Sequence, residues 1–273
     1  MFEDQVLREI VAATPVFLLI AARAIAMIQT APLLNSTAIP MVAKVALAGF
    51  ASYTAFNSAL ISEWVVAPFG LHFVFLLIGE AIIGIIIGFF MTITFAAFVT
   101  AGQFFSLQMG FGASETFDPL SQIENPLLGQ YLNMVAMLVF VTIDGFRELF
   151  LGGFWRSLQT INVISIINGR DNIISVVLAG LSRLFLDAII ISIPILGTLF
   201  LISLSTGLIS KAAPQINILS EGFPIAIMVA WLVILIALPF MTELFGNIIG
   251  SGFETLQTFY IRVGQPISEG GTL

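Results

Sequence analysis

The chain has 273 residues, 59% hydrophobic and only 9% charged, with a mean hydropathy of +1.08. A soluble domain carries about a quarter charged residues, so this composition excludes a water-soluble globule and predicts a membrane protein. The net charge of −7 argues against a nucleic-acid partner, and the absence of cysteine excludes disulfides, iron–sulfur clusters and thiolate zinc sites.

The chain starts MFEDQVLRE, which is net negative where a cleavable signal peptide needs a positive start. The first apolar segment is therefore expected to be retained. Apolar segments fall near 10–31, 45–61, 71–111, 127–143, 173–210 and 223–242. Simple hydropathy would count six to eight spans. Two segments resist that count. The run 71–111 includes only His72 and Glu80 as groups able to carry charge. As one helix it would be about 60 Å long, twice a bilayer core of about 30 Å. It must fold back, near Gly84 and Gly88 or near Thr92–Thr94, or pack against protein beyond the bilayer. The run 173–210 has the same excess and contains Arg183, Asp187 and Pro194.

Asp144-Gly145, Gly152-Gly153 and Asn168-Gly169 read as turns. Asp144, Arg147 and Glu148 mark a solvated reversal after the 127–143 run. Ala213-Pro214-Gln215-Ile216-Asn217 predicts a break between two apolar runs. Residues 243–263 read as an amphipathic helix, with Leu244, Phe245, Ile248, Ile249, Phe253, Leu256, Phe259 and Tyr260 at helical spacing. The fold class expected is all-α: one helical domain over 1–263 and a tail over 264–273. The nine Lys and Arg are scattered, so orientation is weakly encoded.

The stretch Ala101–Pro119, AGQFFSLQMGFGASETFDP, ends the long run in a glycine-rich, acidic loop. Gly110 and Gly112 free the backbone on either side of Phe111, and Met109 can seal an irregular gap. Such a loop can plug a pore through Gln108, Met109, Gly110, Phe111, Gly112 and Phe117. An ordinary helix-ending loop would look the same, and on physical grounds the two readings stand level. The loop 112–126 holds Glu115, Asp118 and Glu124 and no base.

Two charges interrupt apolar runs, Arg23 and Glu80. An ionisable residue at membrane depth is a functional candidate. The plainer reading is a structural pair, with Arg23, Lys44 or Arg183 as the partner of Glu80. Gly84 and Gly88 follow Glu80 at i+4 and i+8, a small face suited to close helix packing. No HExxH, P-loop, GxSxG or dinucleotide motif occurs, and His72 stands alone, so no enzyme, cofactor or metal is expected.

Several phrases together resemble the FliR family of bacterial flagellar export proteins and its virulence counterparts. Ala31-Pro32, Asn35-Ser36, Ile39-Pro40 and Lys44 resemble an early motif. Ala101-Gly102-Gln103, Gln108-Met109-Gly110-Phe111 and Asp118-Pro119 resemble the central one. Gln130, Asn133, Phe140 and Asp144-Gly145 fit the next. Lys211 to Asn217 and Gly222-Phe223-Pro224 fit the last. Ala226 and Phe146 depart from residues common in the family. The resemblance implies a subunit of the type III export gate in the bacterial inner membrane and flagellar basal body. It implies hydrophobic helical hairpins, with a FliP-like part followed by a FliQ-like part, in a helical hetero-oligomer. The implied partners are FliP-like and FliQ-like subunits, FlhB-like and FlhA-like proteins, and unfolded secreted substrates. It also implies that the central loop helps close the pore, and that apolar faces meet partner helices rather than lipid. An injectisome gate subunit is the alternative. A small-solute transporter is a weaker one, because no two related halves are visible.

Overall fold

The computed structural model describes residues 2–58, 70–109, 127–212 and 218–264. The acidic loop 112–126, the break at 213–217 and the tail beyond Gly264 lie outside them. Every regular element among the described residues is helical. These are α1 (Phe2–Thr30), α2 (Met41–Phe56), α3 (Leu71–Gln108), α4 (Leu127–Thr142), α5 (Gly145–Arg147), a π-helix (Glu148–Trp155), α6 (Arg156–Thr160), α7 (Val163–Asn168), α8 (Arg170–Ala212) and α9 (Ile218–Val263).

Among the described residues four helices are long and apolar enough to cross a membrane, over Ala13–Thr30, Leu71–Gln108, Asn172–Ala212 and Pro224–Val263. This replaces the hydropathy count of six to eight. Two of the apolar runs form helices of only 16 residues, α2 and α4, below the ~20 residues a span requires. The run 71–111 does not fold back at Gly84, Gly88 or Thr92–Thr94. Its residues Leu71–Gln108 are one unbroken helix of 38 residues, about 57 Å long. The apolar run 223–242 and the amphipathic stretch 243–263 likewise merge into the 46-residue α9, despite Pro224 and Pro239 inside it.

The chain forms two compact units. The first holds Met1–Thr92, Asp144–Gly180 and Gly250–Leu273; the second holds Ile93–Ile143 and Leu181–Ile249. α3, α8 and α9 each contribute one stretch to either unit.

In the first unit α3 lies against α1 at its glycines. A Cβ on Gly84 would collide with the Arg23 carbonyl and come within 2.9 Å of Ala26 Cβ, and one on Gly88 would collide with Thr30. The small face predicted for packing is thus used for packing. Thr92 Oγ1 donates to the Thr30 carbonyl at 2.7 Å, closing the same crossing. Phe90 packs against Phe259 with the rings tilted by 48° and 5.3 Å between centroids. In the second unit Phe98 meets Phe245 at 4.6 Å and Phe95 meets Phe140 at 5.7 Å. Ser192 Oγ donates to the Ala101 carbonyl at 3.1 Å, tying α8 to α3.

Gly152-Gly153 is not a turn. Both residues lie inside the π-helix Glu148–Trp155, where tertiary packing overrides the local preference of the Gly pair. A turn does separate α4 from α5 at Asp144, with the left-handed conformation on the aspartate (φ 58°, ψ 33°) rather than the glycine. Asp tolerates this region better than most residues, whereas a β-branched side chain does not. Asp144→Gly is expected to leave thermal stability unchanged or slightly raised, and Asp144→Val to lower it by about 1–2 kcal/mol. Thermal melting of the two variants, each co-expressed with the partner subunits that the resemblance implies, checks this.

Candidate functional site: a buried charge cluster and the start of a gate loop

Arg23 sits in the C-terminal half of α1 and is fully buried, and Glu80 on α3 is buried opposite it. Arg23 Nε donates to Glu80 Oε2 at 2.6 Å. Of the three bases considered as partners of Glu80, the structure selects this one. Lys44 Nζ donates instead to the Asn35 carbonyl at 3.1 Å, and Arg183 Nε pairs with Asp187 Oδ1 at 3.3 Å.

The rest of the guanidinium is also engaged. Nη1 donates to Ser157 Oγ at 3.0 Å and Nη2 to the Ile161 carbonyl at 3.1 Å. Ser157 Oγ in turn donates to the Phe154 carbonyl at 2.6 Å. The local chain explains why these acceptors face Arg23. Ile161 is extended (φ −125°, ψ 128°), which ends α6 and turns its carbonyl away from the helix axis. Asn162 then caps α7, its side-chain oxygen accepting from the Ser165 N–H at 2.7 Å. Nearby, Tyr260 on α9 is buried and donates to the Gly153 carbonyl at 2.7 Å, an oxygen within the π-helix.

The geometry of this cluster is that of a satisfied buried ion pair. A buried charge needs both a counter-ion and hydrogen bonds for its remaining polar groups. Arg23 has all three acceptors in place, and among the described residues no buried side-chain nitrogen or oxygen lacks a partner. The cluster ties α1, α3 and the 154–161 segment together inside the first unit. Sequence reasoning found Arg23 and Glu80 but missed Ser157, the Ile161 carbonyl and Tyr260, since serines and tyrosines on apolar faces carry no distinguishing signal. Asn162 ahead of an apolar run was a readable helix cap.

The loop residues lie apart from this cluster in the chain. Gln108 is the exposed last residue of α3. Met109 follows with no solvent exposure, its N–H donating to the Phe105 carbonyl at 2.9 Å. Gly110, Phe111, Gly112 and Phe117 lie outside the described residues. Among the described residues no group of three or more His, Cys, Asp or Glu is arranged to hold a metal.

Long apolar helices, buried charge used for packing and an all-helical architecture together define an all-α membrane protein. The sequence profile of the family described as Bacterial export proteins, family 1, matches residues 14–252. The flagellar biosynthetic protein FliR of Bacillus subtilis is 27% identical over 252 residues, covering 92% of this chain and 96% of that protein. FliR of Escherichia coli is 31% identical over 231 residues, covering 83% and 87%. The surface presentation of antigens protein SpaR of Shigella flexneri is 27% identical over 169 residues, covering 60% and 63%. This chain belongs to the FliR family of bacterial export proteins. Membership makes it a component of an export apparatus that works with other components.

Proposed function

We propose that this chain is a core subunit of the flagellar type III protein export gate, in the bacterial inner membrane at the flagellar basal body. It forms part of the channel through which unfolded flagellar proteins are secreted. The observation that carries the reading is the end-to-end similarity to FliR proteins, 96% of the Bacillus subtilis protein's length. The similarity to SpaR supports an injectisome gate as the second reading, but it covers only 60% of this chain. FliP-like and FliQ-like subunits are the proposed neighbours, with FlhB-like and FlhA-like proteins joining the same apparatus.

Two structural facts support an assembled rather than a solitary subunit. α3, α8 and α9 are far longer than a bilayer is thick. Their surfaces carry many exposed large apolar side chains, including Phe75, Phe185, Phe200, Leu208, Met228 and Ile236. Lipid can cover only part of such lengths, and partner helices would cover the rest. Expressed alone, the chain is expected to aggregate or be degraded. Expressed with its FliP-like and FliQ-like partners it should co-purify as one complex. A monodisperse, folded monomer in mild detergent would count against the gate and favour a free-standing transporter.

A further inference from the structure

The nine bases of the chain are Arg8, Arg23, Lys44, Arg147, Arg156, Arg170, Arg183, Lys211 and Arg262. Only Arg183 and Lys211 fall in the second unit. The same unit contains six acids, Glu115, Asp118, Glu124, Asp187, Glu221 and Glu243. Six minus two leaves this unit four negative charges in excess. Arg183 is taken by Asp187, and Lys211 lies in the last turn of α8. The segments 59–69, 110–126, 213–217 and 265–273 contain no Lys, Arg or His, so none of them can bring a base to an unpaired acid.

Glu243 is such an acid. It is exposed, and no ion pair or hydrogen bond engages its carboxylate among the described residues. It lies near the middle of α9, on the stripe Leu232, Ile236, Phe240, Glu243 and Asn247, all exposed and spaced by three or four residues. Phe240 and Ile236 are 65% and 73% exposed. Of the four long apolar helices, α9 has the least-covered apolar window, with 22% buried against 44% for α3. A helix packed along this stripe would take Glu243 out of water. An unpaired carboxylate buried that way is strongly disfavoured, and a base opposite it removes the penalty.

We propose that this stripe of α9 docks an apolar helix of a neighbouring export-apparatus subunit, and that this helix carries a Lys or Arg opposite Glu243. The apolar residues supply contact area, and the charge pair fixes register and excludes wrong neighbours. The inference rests on the gate reading above.

The test uses the co-expressed complex. Glu243→Lys is expected to lower recovery of the partner subunits about tenfold or more, Glu243→Gln to lower it less, and Glu243→Asp to retain most of it. Glu254→Lys, an equal charge change at an exposed position of the first unit, should have little effect. The chain has no native cysteine, so Glu243→Cys gives a unique cross-linking point. Cysteines scanned through the partner helices should identify the base, and reversing that base to Glu should restore assembly with Glu243→Lys. Wild-type recovery of Glu243→Lys in detergent would overturn the proposal, including the case in which a lipid amine headgroup supplies the positive charge. Equal loss with Glu254→Lys would overturn it too. Failure of the wild-type chain to co-purify with any partner would instead remove the gate reading.

Discussion

Glu80→Ala is expected to weaken the assembled complex by about 3–5 kcal/mol, because it leaves Arg23 charged and buried with no counter-ion. Arg23 has no solvent exposure, and its two neutral acceptors, Ser157 Oγ and the Ile161 carbonyl, cannot balance a full charge. Glu80→Gln keeps an acceptor for Nε and should cost less. The double change Arg23→Met with Glu80→Leu removes both charges and should recover much of the loss, as replacing a buried pair by apolar groups of similar volume often does. The measurements are thermal melting of the co-purified complex and the amount recovered. A Glu80→Ala complex that assembles and melts like wild type would show that the pair is not structural. If that same complex failed to secrete, Glu80 would take a functional role.

Removing residues 110–117 is expected to leave assembly intact and make the resting channel leak, provided the loop is the seal. A closed gate must exclude ions yet later admit a polypeptide, which calls for apolar groups on a backbone that can move aside. Met109 is retained in this variant for a structural reason. It is fully buried, so Met109→Ser would remove core packing, and a leak from that variant would be ambiguous. Phe111→Ser is the cleaner single change. Gly110→Pro with Gly112→Pro should impair secretion without a leak, since it restricts the backbone and not the side chain that seals. Membrane conductance, with co-purification as the assembly control, separates the outcomes. An assembled deletion variant as tight as wild type would return the segment to an ordinary helix-ending loop.

Much of the architecture was legible because composition and spacing act locally. The all-helical class followed from long apolar runs without strand alternation. Gly84 and Gly88 announced a close helix crossing, since their spacing puts both on one face. The partner of Glu80 was not legible. Three bases qualified on chemistry, and the choice depends on which helices cross at Gly84, a tertiary fact. The Gly152-Gly153 pair misled for the opposite reason: its local preference for a turn was overridden by the buried side chains around it, Leu149 and Phe154. The overlong runs posed a choice between folding back and continuing, and no residue in Leu71–Gln108 decides it. A helix with no proline, no polar break and glycines already used in packing has no cause to stop.

The π-helix acts as a phase shift. Eight residues wound more widely than an α-helix carry one more residue than the same rise would otherwise hold. Shortening Glu148–Trp155 by one residue would let it rewind as ordinary α-helix and so absorb the loss, whereas one further residue inserted there finds no such slack and rotates everything after it by about 100° about the axis. Ser157 and the Ile161 carbonyl would then swing off the guanidinium of Arg23. Single-residue length changes are usually harmless on helix surfaces far from contacts. Here one such change would act as an angular misalignment, unbinding a charge some residues downstream without altering any residue that touches it.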